Sequence, residues 1–282
     1  MNGLLVIDKP GGMTSRDAVN RAQRWFPRGT KLGHTGTLDP LATGVLVLCV
    51  GAATRLAEFV QAMGKGYTSR VLLGSRSDTD DADGAVTAVS GAVPPTEGLV
   101  REVVARFAGV VQQLPPAYSA LKVAGKRAHE LARQGAEVKL DPRPVRIDRI
   151  EVTGYEWPHL DIAVECGKGT YIRSIARDVG EALGVGGLVQ TLRRTHVGPF
   201  AAESGLSLDA TMDEVRAKLR PMGEAAGELP RVTLDAATCV RFVQGQAVAC
   251  GPVGGLVGVF RGDVFVGIGE AGGGRVRPKV VV

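Results

Sequence analysis

The sequence predicts an α+β chain built on a mostly antiparallel, mixed sheet, followed by a small C-terminal β module. Two observations carry this. Short apolar strands and amphipathic helices succeed each other without the regular alternation of a doubly wound fold. From Leu229 onward, helical periodicity gives way to apolar/polar alternation broken by turns, the pattern of a small barrel-like module. With 282 residues and 44% hydrophobic content, the chain can bury one large core with a small appended domain.

The elements follow in order. Residues 3–8, GLLVID, read as a strand closed by the turn KPGG. Thr14 or Ser15 caps a helix whose apolar face is Ala18, Val19, Ala22, Trp25 and Phe26. VLVLCV, 45–50, is a short buried strand. RLAEFVQAM, 55–63, is a helix with Leu56, Phe59, Val60 and Met63 on one stripe. YTSRVLLG is a strand running into the acidic loop SDTDDADG, residues 77–84, and AVTAV follows as another short strand. Thr96 caps a helix reaching Phe107 and stopped by Gly109. Residues 145–155 and 160–167 read as a strand pair. Residues 170–184, TYIRSIARDVGEALG, form a helix with Gly184 as its C-cap. Residues 201–228 are an acidic connector with one short helix. The division is therefore 1–228 and 229–282, with turns in the second part at residues 261–263 and 272–274.

Residues 112–139, QQLPPAYSALKVAGKRAHELARQGAEVK, interrupt this pattern. Two prolines and a tyrosine lead into an expected basic helix carrying Lys122, Lys126, Arg127 and Arg133. An excursion of this size from a compact domain points to function.

The net charge is +5, and it is unevenly spread. Residues 1–77 carry ten Lys/Arg against four Asp/Glu, and residues 122–149 carry eight against four. A basic body suits a polyanionic partner. No apolar run reaches the length of about 18 residues that spanning a membrane requires. The N-terminus has neither a basic region nor an apolar stretch long enough for a secretory signal, so a cytoplasmic protein is the expectation. Cys49, Cys166, Cys239 and Cys250 show no paired spacing, and they read as free thiols of a reducing compartment.

Residues 33–44, GHTGTLDPLATG, combine backbone freedom and rigidity around one carboxylate, Asp39. Alone, Asp39-Pro40 reads as an ordinary helix start. His34 between glycines reads as a turn residue. The acidic loop invites calcium, but Thr79 and Ser90 fall where an EF-hand needs its first carboxylate and its final Glu. GKGT at 167–170 lacks the upstream glycine of a phosphate-binding loop, and the four histidines show no metal spacing. No metal and no cofactor are expected.

Four segments occur in one order: GHTGTLDPLATG, GYTSRVLLGSRSDTDDADG, PPAYSALKVAGKRAHELARQG and GKGTYIRSIARDVGEALG. Together they resemble the TruB-type tRNA pseudouridine synthases. The likeness runs from GLLVIDKP through TLRRTHVG into the C-terminal module and is loosest in the acidic connector. It implies a pseudouridine synthase fold with a C-terminal PUA-like RNA-binding domain. It implies isomerisation of uridine 55 in the tRNA T-loop, with the base flipped out of the RNA. It implies that Asp39 is the nucleophile and Arg173 the cation that keeps it ionised. Tyr67 would stack on the uracil, Tyr171 and Leu192 would contact the uridine, and His34 would wedge into the RNA. Asp81 would hydrogen-bond RNA bases, and residues 112–139 would close over the T-loop as a thumb. Without the resemblance, Tyr67 and Leu192 read as strand-core side chains and Arg173 as a helix-surface arginine. The implied partner is the T-arm of tRNA, bound by a monomer with no obligatory protein partner and no membrane. Two rival readings are a tRNA-folding chaperone and a dyskerin-type subunit of an RNA-guided particle. The basic excursion favours stand-alone action over the second.

Overall fold

The computed structural model describes residues 1–119, 121–123, 126–127 and 140–282. The chain opens with β1 (Gly3–Lys9), buried along almost its whole length. Thr14 and Asp17 close a capping box that starts the Ser15–Ala22 helix. β2 (Leu32–His34) leads through the glycine-rich loop into β3 (Thr43–Val50). After the Ala57–Ala62 helix, β4 (Lys65–Leu73) runs through the middle of the sheet. The acidic loop then lies between β5 (Ser75–Arg76) and β6 (Thr87–Ala88). Thr96 caps the Glu97–Ala105 helix, as its sequence predicts.

The excursion begins later than expected, because β7 (Gly109–Gln113) is an edge strand of the main sheet. β8 (Lys122–Val123) and β9 (Lys126–Arg127) then pair as a small antiparallel hairpin. Lys122, Lys126 and Arg127 therefore do not ride on the expected basic helix. Val123 is β-branched and the intervening sequence holds a glycine, both of which disfavour helix. Arg133 and the rest of that expected helix lie outside the described residues.

β10 (Arg143–Glu156) and β11 (His159–Cys166) form the expected strand pair. The Ile172–Ala182 helix precedes β12 (Gly187–Val197), which turns back through β13 (Phe200–Ala201). The main sheet has the order β1-β3-β12-β4-β11-β10-β7, with β2 and β13 at its margins. Every pairing in it is antiparallel except β12 with β3, which is parallel and only two residue pairs long. Gly44 makes that approach possible: its φ is +97°, and a Cβ there would stand 2.1 Å from the Arg194 carbonyl oxygen. Ahead of this contact, where β3 has not yet begun, the acidic loop pairs with β12 instead, with Ala82 N donating to Val189 O at 2.9 Å and Val189 N to Asp80 O at 3.0 Å.

The helices Ser15–Ala22, Glu97–Ala105 and Ile172–Ala182 cover one face of the sheet and build the larger core. On the other face, a second core covers β1, β3 and the end of β12 with β13. There Leu4, Val6, Val45 and Val47 meet Phe59, Val60, Ala225 and Ala226.

The C-terminal sheet contains β14 (Arg231–Thr233), β15 (Val248–Ala249), β16 (Gly255–Arg261), β17 (Val264–Gly272) and β18 (Arg275–Val281). Its order is β14-β16-β17-β18-β15, and the Ala236–Val243 helix, which the alternation pattern does not anticipate, packs on it. This sheet packs on the core over β1 and β3: Ile268 is fully buried with Leu4, Val6, Val45 and Val47, and Leu256, Phe265 and Val280 pack against the same cluster. Among the described residues, no helix is long and apolar enough to cross a membrane.

Candidate active site

The glycine-rich loop is tied down at each end. Thr35 N donates to Val47 O at 3.0 Å. Ser15, buried, accepts from Leu38 N at 2.7 Å and donates back to Leu38 O at 3.0 Å. Ala42 N donates to Asp39 O at 3.1 Å, so Asp39-Pro40 opens a tight turn rather than a helix. Asp39 is thereby held in place while its side chain stays 32% exposed.

Arg173 comes to Asp39 from the start of the Ile172–Ala182 helix. Its side chain is only 4% exposed. Nη2 donates to Asp39 Oδ1 at 3.0 Å, and Nε stands 2.9 Å from Oδ2. The same guanidinium donates to Thr79 O at 2.8 Å and to Tyr118 O at 2.9 Å. A planar fork meeting a carboxylate and two carbonyls orients the carboxylate as well as balancing its charge.

A cleft of about 360 Å³ opens beside this pair. Asp39, Tyr67, Tyr171, Arg173 and Leu192 all line it. Tyr67 on β4 and Leu192 on β12 are buried in the core and reach the cleft together, so they are core and cleft side chains at once. Burial pushes the Tyr67 phenol above its ordinary range, with Arg194 acting in the opposite direction. Tyr171 is half-buried, and the Arg143 guanidinium lies 5.2 Å from its ring centroid.

Two expected site residues stand elsewhere. His34 is in β2, outside the lining of the cleft. Asp81 is 4% exposed, and its carboxylate is turned inward. It accepts from Thr79 Oγ1 at 2.6 Å and Asp83 N at 3.2 Å, and it lies 3.5 Å from Arg173 Nη1. Burial raises its pKa. An aspartate so enclosed supports Arg173.

Three further residues complete the site. Lys9 has no exposed surface, and its Nζ donates to the carbonyls of Pro10 and Met13 at 2.8 Å and Pro40 at 3.4 Å. Burial lowers its pKa to about 8. A lysine ending an apolar strand in GLLVIDKP is a signal for it. Arg194, 2% exposed, donates to Val45 O at 2.7 Å and Gly36 O at 3.1 Å, fastening β12 to β3 and to the Asp39 loop. Two adjacent arginines inside TLRRTHV, where successive strand side chains face opposite ways, are its signal. Gln113, also 2% exposed, pairs with the backbone of Tyr171; its sequence carries no signal.

Cys49 and Cys166 are buried free thiols, pushed up by burial to about 12 and about 11. Such thiols are poor nucleophiles. Among the described residues, no group of three or more His, Cys, Asp and Glu could hold a metal ion.

A part-exposed carboxylate held by a buried arginine fork thus stands at a cleft walled by aromatic and aliphatic side chains, a shape that suits a planar ring. The sequence matches "TruB family pseudouridylate synthase (N terminal domain)" over residues 24–172. It matches "tRNA pseudouridylate synthase B C-terminal domain" over 173–236 and "Pseudouridine synthase II TruB, C-terminal" over 230–282. The chain belongs to the TruB family of pseudouridylate synthases. Its relatives include the tRNA pseudouridine synthase B of Aromatoleum aromaticum, 41% identical over 100% of this chain and 93% of that one. That of an Azoarcus species is 40% identical over 100% and 95%. Among solved structures, a chain of an H/ACA ribonucleoprotein bound to a substrate RNA containing 2′-deoxyuridine superposes with a TM-score of 0.76. It is 26% identical, with 99% of this chain and 84% of that chain covered. A chain of a Cbf5-Nop10-Gar1 complex gives 0.74 at 29% identity, over 95% and 78%.

Proposed function

We propose that this chain isomerises uridine 55 in the T-loop of tRNA to pseudouridine, with the base flipped into the cleft and Asp39 as the nucleophile. The carrying observation is the Asp39–Arg173 pair at the wall of a cleft that Tyr67 also lines. The names of the relatives support tRNA as the substrate.

The N1–C1′ bond of uridine breaks, the base turns, and a C5–C1′ bond forms. One proton leaves C5 and one is gained at N1. Nothing is oxidised and no group is imported, so the reaction requires neither a redox cofactor nor an energy source. Asp39 forms a covalent bond with the uridine and is released when the rearranged base is complete. Arg173 balances the charge of the carboxylate and aims it at the base. Tyr67 stacks on the uracil, a contact worth about 1–3 kcal/mol by analogy with other flipped or single-stranded bases. Tyr171 and Leu192 bound the base laterally. His34, outside the cleft lining, is the wedge that enters the RNA.

Residues 112–139, with Lys122, Lys126, Arg127 and Arg133, close over the T-loop. The synthase domain is 1–228, and the PUA-like module, 229–282, holds tRNA phosphates away from the cleft. The enzyme acts as a monomer in the cytoplasm without a partner protein. The test is to incubate the purified protein alone with an unmodified tRNA transcript and map pseudouridine by mass after chemical labelling. Modification confined to the T-loop uridine is expected. A transcript left unmodified, or modified only when other proteins are added, contradicts the proposal.

A further inference from the structure

We propose that Gln113 is a positioning residue for the reaction. It acts through the backbone of Tyr171 to set both the cleft wall and the reach of Arg173. The inference rests on the function proposed above and extends its machinery to a side chain that does not line the cleft.

Gln113 is the last residue of β7, at the far edge of the main sheet. Its amide makes a reciprocal pair with one residue. Tyr171 N donates to Gln113 Oε1 at 2.8 Å, and Gln113 Nε2 donates to Tyr171 O at 3.1 Å. This is the exchange of bonds that two paired strands make, performed here by one side chain. Its place matters because Tyr171 is the N-cap of the Ile172–Ala182 helix and lacks a side-chain cap of its own. Arg173 is the second residue of that helix. Fixing the backbone of Tyr171 therefore fixes a cleft-lining ring and the origin of the guanidinium that meets Asp39.

The neighbouring contacts extend the same seam. Leu114 O, the next carbonyl along, accepts from Ser174 Oγ and from Arg177 Nη2, both at 2.8 Å. Tyr118 O accepts from Arg173 Nη2 at 2.9 Å. Arg143, the register partner of Gln113 on β10, donates to Gly169 O at 2.8 Å and stacks against the Tyr171 ring. Of these, only Gln113 satisfies both polar groups of the residue that begins the helix. A buried amide held on both sides has no freedom to turn, so Tyr171 has none either.

The test compares wild type with Gln113→Met, which keeps length and apolar volume and loses both bonds. Single-turnover pseudouridine formation and tRNA affinity are measured separately, with amide exchange at Tyr171. A displaced nucleophile partner costs rate, so Gln113→Met should lower the single-turnover rate by about tenfold or more. Affinity should stay within about threefold, because the phosphate contacts that dominate binding are untouched. The Tyr171 amide should lose protection while those of β3 keep theirs. If the variant does not fold, Gln113→Glu, which retains the acceptor for Tyr171 N, carries the same comparison. An unchanged rate in an active background overturns the inference alone. So does an equal loss of rate and affinity with a general fall in protection, since that describes a merely structural residue. Wild-type protein that forms no pseudouridine overturns the reaction assignment, and this inference with it.

Discussion

Arg173 meets Asp39 with two of its nitrogens, Nη2 at 3.0 Å from Oδ1 and Nε at 2.9 Å from Oδ2. The remaining donors go to the carbonyls of Thr79 and Tyr118. One buried cation thus joins the Asp39 loop, the acidic loop and the segment leading to the basic excursion.

That geometry makes lysine a poor substitute. Arg173→Lys keeps a charge near Asp39 but cannot serve a carboxylate and two carbonyls from one plane. Pseudouridine formation should fall by about a hundredfold or more, as expected for a misplaced reacting group. Binding of tRNA should change little, and the melting temperature should drop because buried carbonyls lose their donors. Near-normal single-turnover rates in the variant would show that charge alone suffices.

Lys9 gives a dependence of stability on pH. Burial lowers its folded-state pKa to about 8 from an ordinary 10.5. Between these values the unfolded chain binds the extra proton, so unfolding free energy rises with pH across that window. Below about 8 the full cost of burying the ammonium is present in the folded state. Lys9→Met removes this dependence and leaves the Pro10, Met13 and Pro40 carbonyls without their donor. Lys65, also lowered to about 8 by burial, is present in both proteins and cancels. Urea unfolding should show wild type gaining on Lys9→Met as pH rises from about 8 towards 10.5. Wild type losing stability relative to Lys9→Met over the same range contradicts the assignment.

Ile268 belongs to the C-terminal sheet by sequence and to the core over β1 and β3 by packing. Ile268→Ala should cost about 2–5 kcal/mol of stability, the range for emptying a fully buried aliphatic site. The loss should be read in the main domain, as faster amide exchange at Val45 and Val47. For the same reason, truncation after residue 228 should destabilise the synthase domain as well as weaken RNA binding. Unaltered exchange in β3 on Ile268→Ala would mean the two sheets are energetically independent.

Legibility followed local periodicity. β1, β3, β4, β10 and β11 were readable because their apolar residues form runs or alternate. The capped helices were readable because Thr14 and Thr96 stand where a cap must. β12, central to the sheet, carries no clean alternation. Its register against β4 shifts at Val189/Thr191 and again at Arg194/His196, and each bulge resets which side chains face the core. β7 was hidden because an exposed edge strand needs little apolar sequence: Val110 is 73% exposed. Among site residues, those in a recognisable loop or motif could be named: Asp39, Tyr67, Tyr171, Arg173 and Leu192. Lys9, Arg194 and Gln113 act by donating to backbone carbonyls, or by pairing with a distant backbone; the sequence hints at the first two only through a lysine ending an apolar strand and paired strand arginines, and at Gln113 not at all. The burial of Asp81 was not legible in an acidic, glycine-containing loop. The loop inserts beside β12, with Asp81 bridging to Val189.

The central claim is that the Asp39 carboxylate attacks the uridine. The most direct measurement is single-turnover pseudouridine formation by Asp39→Asn on an unmodified tRNA transcript, with tRNA affinity measured on the same preparation. The substitution preserves size and the turn at Pro40 while removing the nucleophilic charge. The expected result is affinity close to wild type with no detectable pseudouridine. Conversion by Asp39→Asn at even about a tenth of the wild-type rate, a loss of only about 1.4 kcal/mol in transition-state stabilisation, would contradict it.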